Sequence, residues 1–253
     1  IIDNLSDDSA TLEYFSYLKA HDQRIKIILY PKEYNYSAIN NFAARQANGD
    51  FILFLNNDTV VLQENWLERL VSIELRDDIG VVGCRLVYTD QRVQHAGVII
   101  GLGGVAEYIG IGLPMSETGY MGRAQLTQNF SAVTAACMLV RKNLFFDVGG
   151  LNEKDFSVLY NDVDLCLKIR EQGYRIVWTP FVTLIHHGNS SLKTNPDPKQ
   201  DEIGFRSRKA FIKKWLPRLG NDPAYNRHLS LRQREWMIDG DFDVPWHPDF
   251  ESL

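Results

Sequence analysis

The sequence predicts an α/β fold with a mostly parallel central sheet flanked by helices. Three observations predict it. Strand-like and helix-like segments alternate through the first two-thirds of the 253 residues. The run at residues 51–55, Phe-Ile-Leu-Phe-Leu, is apolar at every position, the pattern of a strand buried on both faces. The composition is that of a globular chain, 45% hydrophobic and 23% charged, and the sequence has no internal repeat and no low-complexity tract.

The elements follow in order. Ile1-Ile2 reads as an apolar strand end, closed by Asp3-Asn4 and a Ser/Asp turn. A helix is predicted from about Ala10 to His21, with Ser6 or Asp7 as its N-cap. Residues 24–30 (RIKIILY) are rich in β-branched side chains and predict a strand. Ser37 can cap the next helix, whose apolar face is Ile39, Phe42, Ala43 and Ala47 and which Gly49 ends. After FILFL, Leu67, Leu70 and Val71 mark a helix, and residues 79–87 a further strand.

Residues 101–128 are glycine-rich and poorly periodic, and predict a hairpin followed by a mobile loop. Regularity returns at residues 131–140, then a helix runs from Arg141 to about Gly149-Gly150. Another helix starts near Asp162, turns Val163, Cys166 and Leu167 inward, and stops at Gly173. Residues 175–178 form a short strand closed by Pro180, and residues 201–215 a basic amphipathic helix. Beyond Pro217 the chain is polar and aromatic. The reading is one domain over 1–215 and a tail over 216–253 that packs on it or extends from it.

Composition excludes several classes of function. The net charge of −5 argues against a nucleic-acid partner. Three cysteines without CxxC spacing fit a reducing compartment, so the expected location is cytoplasmic. The uncharged, glycine-rich stretch at residues 96–106 falls far short of the ~20 residues a spanning helix needs. The abrupt opening on Ile1, without an initiator Met, looks like a cut within a domain.

Four constellations can carry chemistry. Asn56-Asn57-Asp58-Thr59 follows FILFL, at a strand's carboxyl end, where ligands gather in open α/β sheets. A carboxylate there can hold Mg²⁺ or Mn²⁺ with a nucleotide diphosphate, or the segment can be a turn that caps the next helix. Asn161-Asp162-Val163-Asp164 opens a helix. Its carboxylates can complement the helix dipole, or Asp162 can be a general base that Asp164 helps to orient. His186-His187-Gly188-Asn189 follows another strand, and only one of two adjacent histidines can face a given site. Asp3 can bind a base or ribose, while its neighbours Ser6 and Asp7 cap a helix. The Gly101-Leu102-Gly103-Gly104 run lacks the third glycine of GxGxxG and reads as no dinucleotide site.

Taken in order, these pieces form a pattern. Asp-Asn-x-Ser-x-Asp is followed by YNYSAINN (34–41), Gly49-Asp50 and FILFLNNDTVV. Then come VTAACMLVRKNLFFDVGGLNE, YNDVDLCLKIREQGYRIVWTP and His-His-Gly-Asn-Ser. The succession resembles the family 2 glycosyltransferases of the GT-A fold, most of all the bacterial branch that builds O-antigen, rhamnose-containing and related surface polysaccharides. The resemblance covers about residues 1–215. It implies an inverting transferase that moves a sugar from a nucleotide-diphospho-sugar to a hydroxyl of a glycan or lipid-linked glycan acceptor, with a divalent cation, Mg or Mn.

Residue by residue, the resemblance places the nucleoside at Asp3. It puts Asn41 among the donor contacts. The DxD motif falls on residues 56–58, with Asn56 in place of the first acid, free to bond a ribose, and Asp58 as the metal carboxylate. It makes Asp162 the base beside Asp164, and His186 a ligand of the metal or diphosphate, with His187 as second choice. The loop at 101–122 is a candidate lid or acceptor wall, where Tyr108, Tyr120 and Met121 can stack on sugars or belong to the core. Arg206, Arg208, Lys209, Lys213 and Lys214 can touch the inner face of a membrane or form a solvated face.

Two other readings compete. A haloacid-dehalogenase-like phosphatase would need its nucleophilic Asp at Asn56, and an amide cannot form the aspartyl phosphate. The second is an inert GT-A-like fragment serving as a structural or binding module of a larger synthase. It is motivated by the family's first strand, which does not precede Ile1.

Overall fold

The structure, a computed structural model, describes residues 1–188, 198–232 and 236. Ile2–Asp3 (β1) pairs in parallel with Ile28–Leu29 (β2) across the helix Ser9–His21 (α1). Of the predicted 24–30 strand only Ile28 and Leu29 are in register as a ladder, flanked by bonds from the Ile1 amine to Lys26 O at 2.7 Å and from Tyr30 N to Asp3 O at 2.8 Å. The cap of α1 is Asp8, not Ser6 or Asp7, because the helix starts at Ser9 and only Asp8 reaches the Thr11 N–H, at 2.8 Å. Asn35, not Ser37, caps Tyr36–Gln46 (α2). Its Oδ1 accepts from Ala38 N at 2.9 Å, while buried Ser37 donates to the Phe156 carbonyl at 2.5 Å.

The next elements are Phe51–Leu55 (β3), Thr59–Val61 (β4), Trp66–Glu74 (α3) and Ile79–Val87 (β5). Val93–His95 (β6) is followed by Val98–Ile100 (β7) and Ala106–Tyr108 (β8), which form a hairpin that starts ahead of the 101–128 stretch expected to hold one. Gln128–Phe130 (β9), Cys137–Arg141 (β10), Lys142–Asp147 (α4) and Asn161–Glu171 (α5) come next. Arg175–His186 (β11) and Pro198–Trp215 (α6) complete the order. β11 is far longer than the predicted 175–178. Pro180 lies at a register shift between Thr179 and Thr183, so the strand continues past the missing N–H.

The central sheet runs β3-β10-β5-β11-β4, with β6 beside β5 and β9 beside β11. It is mixed rather than mostly parallel. The strands that alternate with helices, β3, β5 and β11, do share one direction. β10 threads between β3 and β5 antiparallel to both, and β4 returns antiparallel along β11.

Alternation along β5 divides the core between the two faces of the sheet. Val81 joins Trp178, Phe145, Leu165 and Phe211 on one face, and Val82 joins Leu70, Leu139 and Leu184 on the other. Gly83 is required where residues 131–136 cross β5, since a Cβ there would lie 2.6 Å from Val133. Past α6, Leu219, Tyr225 and Leu229 enter the first of these clusters. Asp222 is buried there, accepting from Ile100 N and Ser131 Oγ, each at 2.7 Å. Among the described residues, no helix is long and apolar enough to cross a membrane. All three cysteines are free and buried.

Candidate active site

The β3 strand ends beside the start of β10, where Asn56 N donates to the Ala136 carbonyl at 3.0 Å. The chain turns at once, with Thr59 Oγ1 bonding Asn56 O at 2.7 Å, and β4 pairs with the end of β11 so that Thr59 faces His186. That turn brings Asp58 to the histidine. Asp58 Oδ1 lies 3.1 Å from His186 Nε2, and Asp58 Oδ2 accepts from Gly188 N at 3.1 Å. Asn56 Nδ2 lies 3.3 Å from the same Nε2. Burial pulls the His186 pKa below its ordinary value, against the opposing pull of Asp58. His187 is exposed and meets Asp58 only through its backbone, N to O at 2.9 Å.

The second centre is the start of α5. Tyr160 sits there in the left-handed region, φ 63°, a strained conformation for a residue with a side chain. Asp162 Oδ1 accepts from Val163 N at 2.8 Å and Oδ2 from Ala135 N at 3.1 Å, with the Thr134 hydroxyl a further partner. Burial outweighs these hydrogen bonds and raises the Asp162 pKa. Tyr108 donates to Thr134 Oγ1 at 3.1 Å. Burial and the nearby Asp162 push the Tyr36 and Tyr108 hydroxyls up, so both stay protonated. Buried His95, held down to about 4, accepts from Thr134 N at 3.3 Å. Residues 134–136 therefore touch both centres, Asp162 at one end and the backbone of Asn56 at the other.

Two of the expected residues are engaged elsewhere. Asp164 is fully buried and turned to α6, accepting from Lys214 Nζ at 2.6 Å and Trp215 Nε1 at 2.9 Å. Residues two apart on a helix point about 200° apart, so Asp164 cannot share the Asp162 surface. Asn41 is buried and clamps the 151–153 turn. Its Nδ2 donates to Leu151 O and Glu153 Oε1, each at 2.8 Å, and its Oδ1 accepts from Leu151 N at 2.9 Å.

Asp3 ends β1, its Oδ1 accepting from Ser6 N at 2.8 Å in a turn where Leu5 also has φ 63°. Tyr120 stacks on Trp236 at 4.8 Å, Tyr108 meets His95 edge-on at 4.9 Å, and Met121 stays 80% exposed.

Sequence reasoning missed Gln94. Its Oε1 lies 2.6 Å from His186 Nδ1 and its Nε2 bonds His186 O at 3.3 Å. Among the described residues no three His, Cys, Asp or Glu side chains cluster as a metal site, and Asp58 and His186 converge as a pair.

The profile of glycosyl transferase family 2 matches residues 1–148. The chain belongs to that family. Among its relatives within this group, it is 38% identical over 229 residues to the O-antigen biosynthesis protein RfbC of Myxococcus xanthus, covering 90% of this chain and 18% of that one. It is 40% identical over 239 residues to the uncharacterized protein y4gI of Sinorhizobium fredii, covering 94% of this chain and 26% of that one. The chain thus spans about a quarter or less of these curated relatives.

The family 2 chain shares the GT-A fold with solved glycosyltransferases. GalNAc-T7, solved with UDP, GalNAc and Mn²⁺, matches with a TM-score of 0.63 and 13% identity over 86% of this chain and 42% of that one. The mannosyltransferase PcManGT of Pyrobaculum calidifontis, solved with GDP-Man and Mn²⁺, matches with a TM-score of 0.53 and 12% identity over 85% of this chain and 65% of that one.

Proposed function

We propose that this chain is the transferase domain of an inverting, metal-dependent glycosyltransferase of bacterial surface-polysaccharide assembly. It takes a nucleotide-diphospho-sugar and passes a hexosyl or rhamnosyl-type sugar to a hydroxyl of a glycan or lipid-linked glycan. The observation that carries the reading is the meeting of Asp58 and His186 at two strand ends, 3.1 Å apart. The relation to an O-antigen biosynthesis protein supports the pathway.

The donor set fits a divalent cation. One carboxylate oxygen and one imidazole nitrogen converge, and Mg²⁺ or Mn²⁺ commonly takes only one or two protein ligands when phosphates and water complete its shell. When bound, the cation neutralises charge on the departing diphosphate. Asp58 and His186 would hold it, and Asn56 and Asp3 would bind the nucleoside.

Asp162 would deprotonate the acceptor hydroxyl from the face opposite the leaving group, which inverts the anomeric carbon. A raised pKa makes it a stronger proton acceptor than an ordinary carboxylate. Asn41 and Asp164 support the site through packing, and residues 101–122 form a wall for the acceptor. The basic face of α6 is the candidate for contact with the inner face of a membrane, although Lys214 is engaged by Asp164 and Arg206 by Glu202.

One observation supports a second reading, an inactive structural module. β1 and β2 form a sheet of their own, and a groove of about 390 Å³ lined by Ile2, Ile28, Ala44, Ile52 and Phe54 separates them from β3. Titrating the chain with UDP, GDP and dTDP, each with and without Mn²⁺, separates the two. Cation-dependent binding of one nucleotide is expected, and binding of none would leave only the module.

A further inference from the structure

Gln94 lies on β6, 7% exposed, and makes both of its contacts to one residue. Its Nε2 donates to the His186 carbonyl at 3.3 Å. Only the nitrogen of an amide can donate to a carbonyl, so this bond turns the oxygen, Oε1, to His186 Nδ1 at 2.6 Å. An amide oxygen only accepts, so Nδ1 carries a proton. In the neutral ring, the form that ligates metals, Nε2 is then left with its lone pair. Asn56 Nδ2, at 3.3 Å from Nε2, is a donor and agrees with that assignment.

The alternative tautomer has a clear attraction. With Asp58 Oδ1 only 3.1 Å from Nε2, a proton on Nε2 would make a charge-assisted hydrogen bond to the carboxylate. That bond would occupy both groups at once and close the pair to a cation. Gln94 opposes it from the other side of the ring. Gly188 leaves room for the amide in this orientation, since a Cβ there would lie 2.8 Å from Gln94 Nε2.

We propose that Gln94 is a positioning residue: it holds His186 in the Nδ1–H tautomer and so keeps Nε2 available as a ligand for the divalent cation that accompanies the donor. The consequence for the cation rests on the function proposed above. The tautomer does not, and it can be read in metal-free protein.

The test uses the whole chain and two variants. Gln94→Met removes both contacts at similar size, and Gln94→Glu keeps an acceptor against Nδ1. Nitrogen-15 NMR of labelled histidines at pH 8 reports the tautomer, with His186 assigned from the signals lost in His186→Asn. Wild type and Gln94→Glu are expected in the Nδ1–H form and Gln94→Met shifted towards Nε2–H.

Mn²⁺ affinity in the presence of the nucleotide that binds is expected to fall about 10–100-fold in Gln94→Met and to be largely kept in Gln94→Glu. An Nε2–H ring in the wild type, or one tautomer in wild type and Gln94→Met alike, overturns the proposal. A shifted tautomer with unchanged Mn²⁺ affinity overturns its link to the metal. If wild type itself shows no cation-dependent binding, the cation reading fails, while the NMR result still decides what Gln94 does to the ring.

Discussion

Changing Asp164 to Asn should unfold the protein earlier, while leaving the chemistry at Asp162 in place. The Asp164 carboxylate is fully buried and receives Lys214 and Trp215 from α6, with Lys168 Nζ 3.6 Å away. Removing one partner of a buried ion pair costs about 3–5 kcal/mol when the other charge is trapped. Here the Lys214 side chain is 39% exposed and can turn to water, which lowers the cost. The Asn oxygen can still accept from the Trp215 indole, but a hydrogen bond to a charged acceptor becomes one to a neutral acceptor.

The net expectation is about 2–4 kcal/mol, a fall in Tm of roughly 5–15 °C for a domain of this size. Urea unfolding followed by circular dichroism should show a lower midpoint with an unchanged m-value. An Asp164→Asn protein that melts like the wild type yet no longer transfers sugar would refute the reasoning, and would return Asp164 to the reaction.

Three further outcomes are expected. Asp162→Asn should abolish transfer and leave nucleotide-diphosphate binding nearly intact, and the wild-type rate should fall on acidification at a pH above the ordinary carboxylate range. Lost donor binding in that variant would remove Asp162 as the base. Asp58→Ala should weaken Mg²⁺- or Mn²⁺-dependent nucleotide binding in calorimetry, and unchanged metal dependence would take Asp58 out of the site.

Glu74 is fully buried with neither carboxylate oxygen in hydrogen-bond contact among the described residues, and burial, against the pull of Arg141, pushes it up to about 8. A raised acid favours folding while protonated. Its contribution is therefore complete below about pH 4.5 and is lost as pH rises through 8, by up to ~1.4 kcal/mol per pH unit. Urea midpoints at pH 6 and pH 9 should differ less in Glu74→Gln than in the wild type.

The parts legible in the sequence were those whose signal is local. β5 is buried at all nine positions, and its apolar run reads as a strand without knowledge of any partner. Asn56, Asp58 and His186 could be found because polar residues that directly follow strands mark the ends where ligands collect. The rest depended on pairings distant in sequence. The threading of β10 between β3 and β5 is a matter of register that no periodicity encodes. Asp164 looks like a second catalytic acid until Lys214 and Trp215, fifty and fifty-one positions on, are seen to hold it. Gln94 sits in an unremarkable Val-Gln-His strand, and it meets His186 only because β5 pairs with both β6 and β11.

The segment 134–136 works as a calliper. One jaw is the pair of groups at Thr134 and Ala135 that seats Asp162, and the other is the Ala136 carbonyl that fixes the backbone of Asn56. The span between the Ala135 N–H and the Ala136 carbonyl is set by peptide geometry within a buried segment. Under the proposed chemistry, an acceptor is selected by whether its hydroxyl reaches across a gap of fixed width. Relatives with a residue inserted or deleted in this stretch would then take acceptors of different reach from the same donor.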